Sequence, residues 1–408
     1  MKKRILCLLC AAALLCSLCG CVGRGADYML AAKDILEQAA EKLHADRETA
    51  AVSELLEPPE IQTAETDADE QEQSSYAETA ELVRSRIYDA VSAGEASAVF
   101  TRSEIGDAWE DMDTLVGDAM DELHYNSPEI SWKLQSEWSY ISSDISVEIV
   151  LNYLADETGL RQMQAEIEAQ TEAVLLMMAQ EEDLWHKLLV LHDYLCTNIV
   201  YGSGEYDQSI YGALVDGKCV CAGYANTVSY FLDMLDVENR IIIGTALNDW
   251  GEAESHAWNR ITVDGTDYYM DITWDDTDEH YGDEELVLHD YFMVSAGSLC
   301  FHYADDPAEM LVSADESDGM NYFVHEGYYI ASYSREAVKD VIASQLDEGK
   351  DVISFCFADI QDYLQADAEL NEGGELGRIL GELGCVGSYI WYAGDEESAE
   401  IYAWTILL

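Results

Sequence analysis

The sequence predicts an α+β protein, on three observations. Residues 157–199 keep a helical apolar period over a long stretch. Two pairs of alternating segments, 131–142 with 144–154 and 256–263 with 267–274, read as antiparallel hairpins. From about residue 320 the pattern runs β-β-α-β-α-α-β-β, that of a small α/β domain.

The chain opens MKKRILCLLCAAALLCSLCGC. Lys2, Lys3 and Arg4 form a positive start, and Ile5 to Cys16 is apolar but short for a permanent membrane span. Residues 1–20 therefore read as a secretory signal and are set apart from the fold. Its end, Leu18-Cys19-Gly20-Cys21, resembles the bacterial lipobox. That resemblance implies cleavage before Cys21, diacylglycerol on its sulfur, and a protein tethered by lipid to the extracellular face of the bacterial cell membrane. An ordinary signal peptide cut nearby, or an uncleaved anchor, is the alternative. Residues 21–75 hold an Ala/Leu/Glu-rich helix over about 27–56, ended by Pro58 and Pro59, and then the acidic run EPPEIQTAETDADEQEQSS, which reads as a flexible tether.

From Tyr76 large apolar residues return. Residues 76–155 read as mostly helical, over about 76–93 and 103–124, followed by the first hairpin. Residues 156–315 hold a long helical region, a loop, a helix starting in GKCVCAGYANTV, and the strand-like segments RIIIGTA, HAWNRITV and DYYMDITW. Residues 320–408 are the small α/β domain.

The net charge is −62, from 20 basic and 82 acidic residues. Removing residues 1–20 takes away Lys2, Lys3 and Arg4 and no acid, so the remaining chain is more acidic still. Nucleic acid is a poor partner for such a surface, because its binding depends on neutralising phosphates. Basic proteins or peptides are favoured electrostatically. Most of the carboxylates serve solubility. Beyond Cys21 the cysteines are Cys196, Cys219, Cys221, Cys300, Cys356 and Cys385. An even number in an exported chain suggests disulfides, yet they are sparse for this length.

The chemistry gathers around Cys219 and Cys221. From Tyr224 the apolar positions 224, 228, 231, 232 and 235 form one helix face. Cys221 then lies in the first turn, where unpaired N–H groups and the helix dipole favour a thiolate, the nucleophilic form. Gly223 allows close packing behind it. A buried structural role is the alternative, since cysteine is a frequent core residue.

A thiolate nucleophile needs a base and an orienting group. Asp264-Gly265 between two alternating runs is a strong two-residue hairpin signal. Counting outward, Val263 faces Thr266, Trp258 faces Asp271 and His256 faces Thr273. His256 and Asp271 are then diagonal neighbours on one face, with Cβ atoms roughly 7 Å apart and within reach of a hydrogen bond.

The order Cys, His, Asp in GKCVCAGYA, HAWN and YYMDITWDD resembles the transglutaminase-like superfamily, above all its bacterial extracellular members. LHDYLCTNIVY and YGALVDG upstream and HDYFMVS downstream are similar too, over about residues 180–305. The resemblance implies a cysteine-protease-like α+β core, with the nucleophile's helix packed on an antiparallel sheet. It maps Cys221, immediately before x-Gly-Tyr-Ala, to the nucleophile, His256 to the catalytic histidine and Asp271 to the aspartate that orients it. Cys219, Gly223, Tyr224, Trp258 and Trp274 would line the site. The activity implied is acyl transfer from amide bonds of proteins or peptides through a thioester, as protease, amidase or transglutaminase. The substrate expected is a protein or peptide, basic or from the cell wall. The departure from the family is Cys219, which stands where a small non-cysteine residue is usual. It reads as a small buried wall residue, as a strained and easily reduced partner of Cys221, or as the partner of another cysteine.

No metal or other cofactor is expected. His192 reads as a helix-surface or packing residue. His289, His302 and Asp290 do not have a spacing diagnostic of zinc. DDTDEHYGDEE (275–285) has Tyr281 where a calcium loop needs glycine, and reads as a solvated acidic loop beside the site. Two rival functions are a catalytically silent binding or structural lipoprotein that keeps the fold, and a metal-dependent hydrolase.

Overall fold

The computed structural model describes residues 67–408 except 136–137, 248–252, 282–283, 300, 311–317, 386 and 394–400. The signal segment, Cys21, the helix expected at 27–56, most of the expected tether and Cys300 lie outside the described residues. The chain divides into Met1–Ser74 and Ser75–Leu408. No helix among the described residues is long and apolar enough to cross a membrane.

The first helix among the described residues, α1 (Asp67–Ala93), begins inside the stretch read as tether. Strand β1 (Ser97–Thr101) follows, then α2 (Met112–Asn126), β2 (Ser139–Ser142) and β3 (Ser146–Val150). The three strands form an antiparallel sheet in the order β1-β3-β2. Strand β1 carries little signal in the sequence, because its alternation spans only Ala98 and Phe100 on the inner face. The helix read over 103–124 is broken: a short helix ends at Gly106 (φ 63°) and a 3-10 segment leads into α2. Val83, Ile87, Phe100, Leu115, Val116, Val147 and Ile149 close a core of their own.

The long helical region is two helices, α3 (Glu157–Met178) and α4 (Leu184–Asn198). The break falls at the polar run before Asp183, whose carboxylate accepts the His186 N–H at 3.0 Å and caps α4. Two short strands, β4 (Val200–Tyr201) and β5 (Lys218–Cys219), pair in parallel and lead into α5 (Cys221–Met234).

A four-stranded antiparallel sheet then forms from β6 (Asn239–Leu247), β7 (Ala253–Val263), β8 (Thr266–Met270) and, after the short pair β9 (Asp276–Tyr281) and β10 (Glu284–Val287), β11 (His302–Ala304); its order is β11-β6-β7-β8. The β7–β8 turn is the one the sequence predicts. Asp264 (φ 53°) and Gly265 (φ 79°) both take positive φ, as this tight turn demands, and Val263 pairs with Thr266. The ladder ends at Asn259–Met270. The expected Trp258–Asp271 and His256–Thr273 pairs do not form, because the chain leaves the sheet at Asp271 and turns into a short helix, Ile272–Asp275.

Helix α5 is buried on two faces. Tyr224, Val228, Phe231 and Leu232 enter the main core, as the period predicts. Ala222 and Ala225 pack on Ile241 of β6 and Ala257 of β7, so small side chains let the helix lie close to the sheet.

The C-terminal part carries β12 (Tyr329–Ile330), α6 (Arg335–Asp347), β13 (Val352–Phe357), α7 (Ile360–Ala366), α8 (Glu375–Glu382), β14 (Ile390–Ala393) and β15 (Ala403–Leu407). Its first expected strand is instead the short helix Tyr322–His325. The sheet order is β12-β13-β15-β14. This part has no separate core: Phe355, Phe357 and Trp404 belong to the same buried cluster as Leu188, Leu191 and Phe292.

Candidate active site

The site is built where the start of α5 meets β7 and the end of β8. Val220 is extended and its N–H bonds the Asp207 carbonyl at 2.9 Å, which fixes where α5 begins. Cys221 is the first helical residue and is partly exposed; its N–H belongs to the first turn, where no intrahelical acceptor exists. Gly223 is required behind it. A Cβ there would lie 2.4 Å from the Cys219 Cβ and 2.5 Å from the Asp207 carbonyl oxygen. Cys219 is fully buried against that glycine, its thiol is free, and burial pushes its pKa up. Cys221 is free as well. The strained pair is therefore not formed, and Cys219 is a wall of the helix start. Tyr224 is buried, and its hydroxyl donates to Asp276 and to the Ile199 carbonyl.

His256 projects from β7. Its Nε2 lies 2.6 Å from Asp271 Oδ2, and Cys221 is near enough to favour charge on the ring. The expected diagonal contact thus forms although the ladder has ended, because Asp271 caps the short helix with its other oxygen: Oδ1 accepts the Thr273 N–H at 3.0 Å. Burial opposes charge on His256, but the Asp271 carboxylate and Cys221 outweigh it and raise its pKa to about 10. Burial alone would raise the Asp271 pKa; the His256 charge and bonds from His256 and His302 overcome that and hold it well below the usual carboxylate range. Trp258 and Trp274 stack near-parallel to the His256 ring, at 5.9 and 5.4 Å.

Several contributors were not legible in the sequence. Asn259 of HAWN donates from Nδ2 to the Ala225 carbonyl at 2.9 Å and ties β7 to α5. The Tyr125 and Tyr201 phenols lie within electrostatic reach of Cys221. His302, from β11, places Nε2 3.0 Å from Asp271 Oδ2.

The structure separates His289 from His302. His289 Nε2 lies 2.9 Å from Asp193 Oδ1, and Asp193 also bonds His192, whose Nε2 meets the buried Asp275 at 3.0 Å. His302 joins Asp271 instead, and Asp290 is in neither group. These two groups, His192-Asp193-His289 and His256-Asp271-His302, have ligand-type atoms within 4.8 Å of one another, but each carboxylate already accepts from both imidazoles. His192 is thus a buried polar residue rather than a surface one. Within the 275–285 stretch, expected to be a solvated loop, Asp275 ends the short helix, Asp276–Tyr281 form β9, Glu284 begins β10, and Asp275 and Asp276 are buried.

Residues 173–274 match the family model of the Transglutaminase-like superfamily. This segment is a transglutaminase-like domain. Among solved structures, one assigned as a cysteine protease from Cytophaga hutchinsonii is similar at 15% identity, over 34% of this chain and 61% of that one, with a TM-score of 0.24. A TGase is similar at 11% identity, over 38% of this chain and 50% of that one, with a TM-score of 0.26. The chain therefore spans less than two thirds of either. No curated protein matches. The matched transglutaminase-like segment contains Cys221, His256 and Asp271; His302 lies beyond it.

Proposed function

We propose that the protein is a thiol acyl-transfer enzyme acting on amide bonds of proteins or peptides. The observation that carries this is His256, bonded to Asp271 at 2.6 Å and within electrostatic reach of the Cys221 thiol. Cys221 sulfur attacks the carbonyl carbon, and the tetrahedral adduct collapses to a thioester as the C–N bond breaks. The His256 imidazolium gives its proton to the departing nitrogen. Asp271 fixes the tautomer and supports the charge on the ring. The Cys221 N–H is a donor for the oxyanion. Water then releases an acid, or an amine forms a new amide. The acidity of the chain favours cationic peptides as substrates, and cell-wall peptides are the other substrate class in this proposal. Anchoring through lipid on Cys21, at the outer face of a bacterial membrane, belongs to the same proposal.

A thiol-reactive activity probe should label the wild-type protein and not Cys221→Ala. His256→Ala should lower kcat for peptide cleavage or cross-linking by about 10²–10⁴-fold. Equal labelling of wild type and Cys221→Ala overturns the assignment in favour of a silent binding lipoprotein.

A further inference from the structure

Asp271 accepts three hydrogen bonds. Oδ1 takes the Thr273 N–H at 3.0 Å, and Oδ2 takes both His256 at 2.6 Å and His302 at 3.0 Å. A carboxylate only accepts, so Nε2 of each ring carries the hydrogen. The His302 side chain is fully buried and packs against Trp274 at 4.4 Å and Trp258 at 5.0 Å, the two indoles that also stack on His256.

A special strand geometry brings it there. His302 pairs with Ala246, and Ala304 pairs with Gly244, the β6 residue whose other partner is His256. A Cβ on Gly244 would lie 2.1 Å from the Tyr303 carbonyl oxygen and 2.9 Å from the Ala304 Cα. The bare glycine thus lets β11 close on β6 beside the triad histidine. The sheet itself gives Asp271 no ladder partner, since β7–β8 pairing stops at Met270.

We propose that His302 is a positioning residue, the fourth member of a Cys221-His256-Asp271-His302 arrangement: by donating to Asp271 Oδ2 it fixes the carboxylate plane, and so the tautomer and orientation of His256 toward Cys221. This rests on the reading of Cys221 as nucleophile and His256 as its base. With His302 removed, Oδ2 keeps one donor, the carboxylate turns about its Cβ–Cγ bond, and the imidazole loses a fixed anchor. Partners that orient a metal-ligating histidine from behind matter by about 10–100-fold, and the same positioning argument applies to a histidine held as a base.

The test uses the whole chain and two variants, His302→Leu, which fills the space without a donor, and His302→Gln, which restores an N–H at the position of Nε2. Three quantities are read: the cooperative unfolding transition, the rate of Cys221 alkylation by iodoacetamide, and the ¹⁵N and downfield ¹H resonances of His256. The proposal expects His302→Leu to unfold cooperatively, to alkylate at least tenfold more slowly and to move the His256 resonances. It expects His302→Gln to return alkylation to within about threefold of wild type, with the His256 resonances restored. Unchanged His256 resonances in His302→Leu overturn it. So does a His302→Gln variant as impaired as His302→Leu, or a loss of alkylation that only follows a loss of folding. His256→Ala separates the two readings: if it alkylates as fast as wild type, the base assignment fails, while the resonance shifts still decide the role of His302.

Discussion

At the scale of single residues, the site is a chain of charges held in an apolar box. His256 and Asp271 are both buried, and each stabilises the charged form of the other. This has a signed consequence for stability. With its folded pKa raised to about 10, His256 contributes fully below about pH 6.5, its ordinary value, and loses that contribution as pH rises toward 10. With its folded pKa depressed, Asp271 contributes above about pH 4 and loses its share as pH falls further. A Tm–pH curve should therefore be highest between those limits, and His256→Ala should flatten its alkaline side; an unchanged alkaline side would show that the imidazole is neutral in the folded protein. Cys219 illustrates the opposite environment. It lies two positions from Cys221 yet is sealed under Gly223, so intact-mass analysis after a short alkylation should find Cys221 modified and Cys219 not.

At the scale of elements, the site depends on how α5 seats on the sheet. Ala222 and Ala225 face Ile241 and Ala257, and Gly223 faces Cys219 and the Asp207 carbonyl. Gly223→Ala should destabilise the protein by about 1–3 kcal/mol in urea unfolding, because an added methyl in a packed contact forces the backbone to shift. The same shift should slow Cys221 alkylation, since the helix start moves. The β7–β8 hairpin was readable from sequence because its turn is local: Asp264-Gly265 selects the turn, and the turn selects the register through Asn259–Met270. The exit of Asp271 from the sheet was not readable. It follows from the Asp271–Thr273 cap and from the Asp271 N–H bond to the Tyr291 carbonyl at 3.2 Å, which joins residues twenty positions apart.

At the scale of the described molecule, the N-terminal α+β region keeps its own core, while residues 320–408 share theirs with the helices that precede the site. Trp185 of α4 stacks on His325 at 3.7 Å and donates Nε1–H to the Met320 carbonyl at 2.9 Å. Truncation after residue 315 should therefore abolish cooperative unfolding, read by circular dichroism on heating, because it strips Met320, Tyr322 and His325 from Trp185 and divides the shared cluster. A soluble, cooperatively melting fragment would show that the shared cluster is dispensable.

Local chemistry in the chain was enough to determine the α+β character, the start of α5 at Cys221, the turn at Asp264-Gly265 and the meeting of His256 with Asp271. Each depends on residues close in sequence or on a short-period pattern, and such signals survive without the fold. Tertiary structure alone decided which thiol is sealed, where the β7–β8 ladder stops, and that His302 joins Asp271 while His289 joins Asp193. Those outcomes hang on the approach of β11 to β6 beside Gly244 and on the docking of the 288–294 segment against α4, and packing of distant segments leaves no periodic trace in the chain.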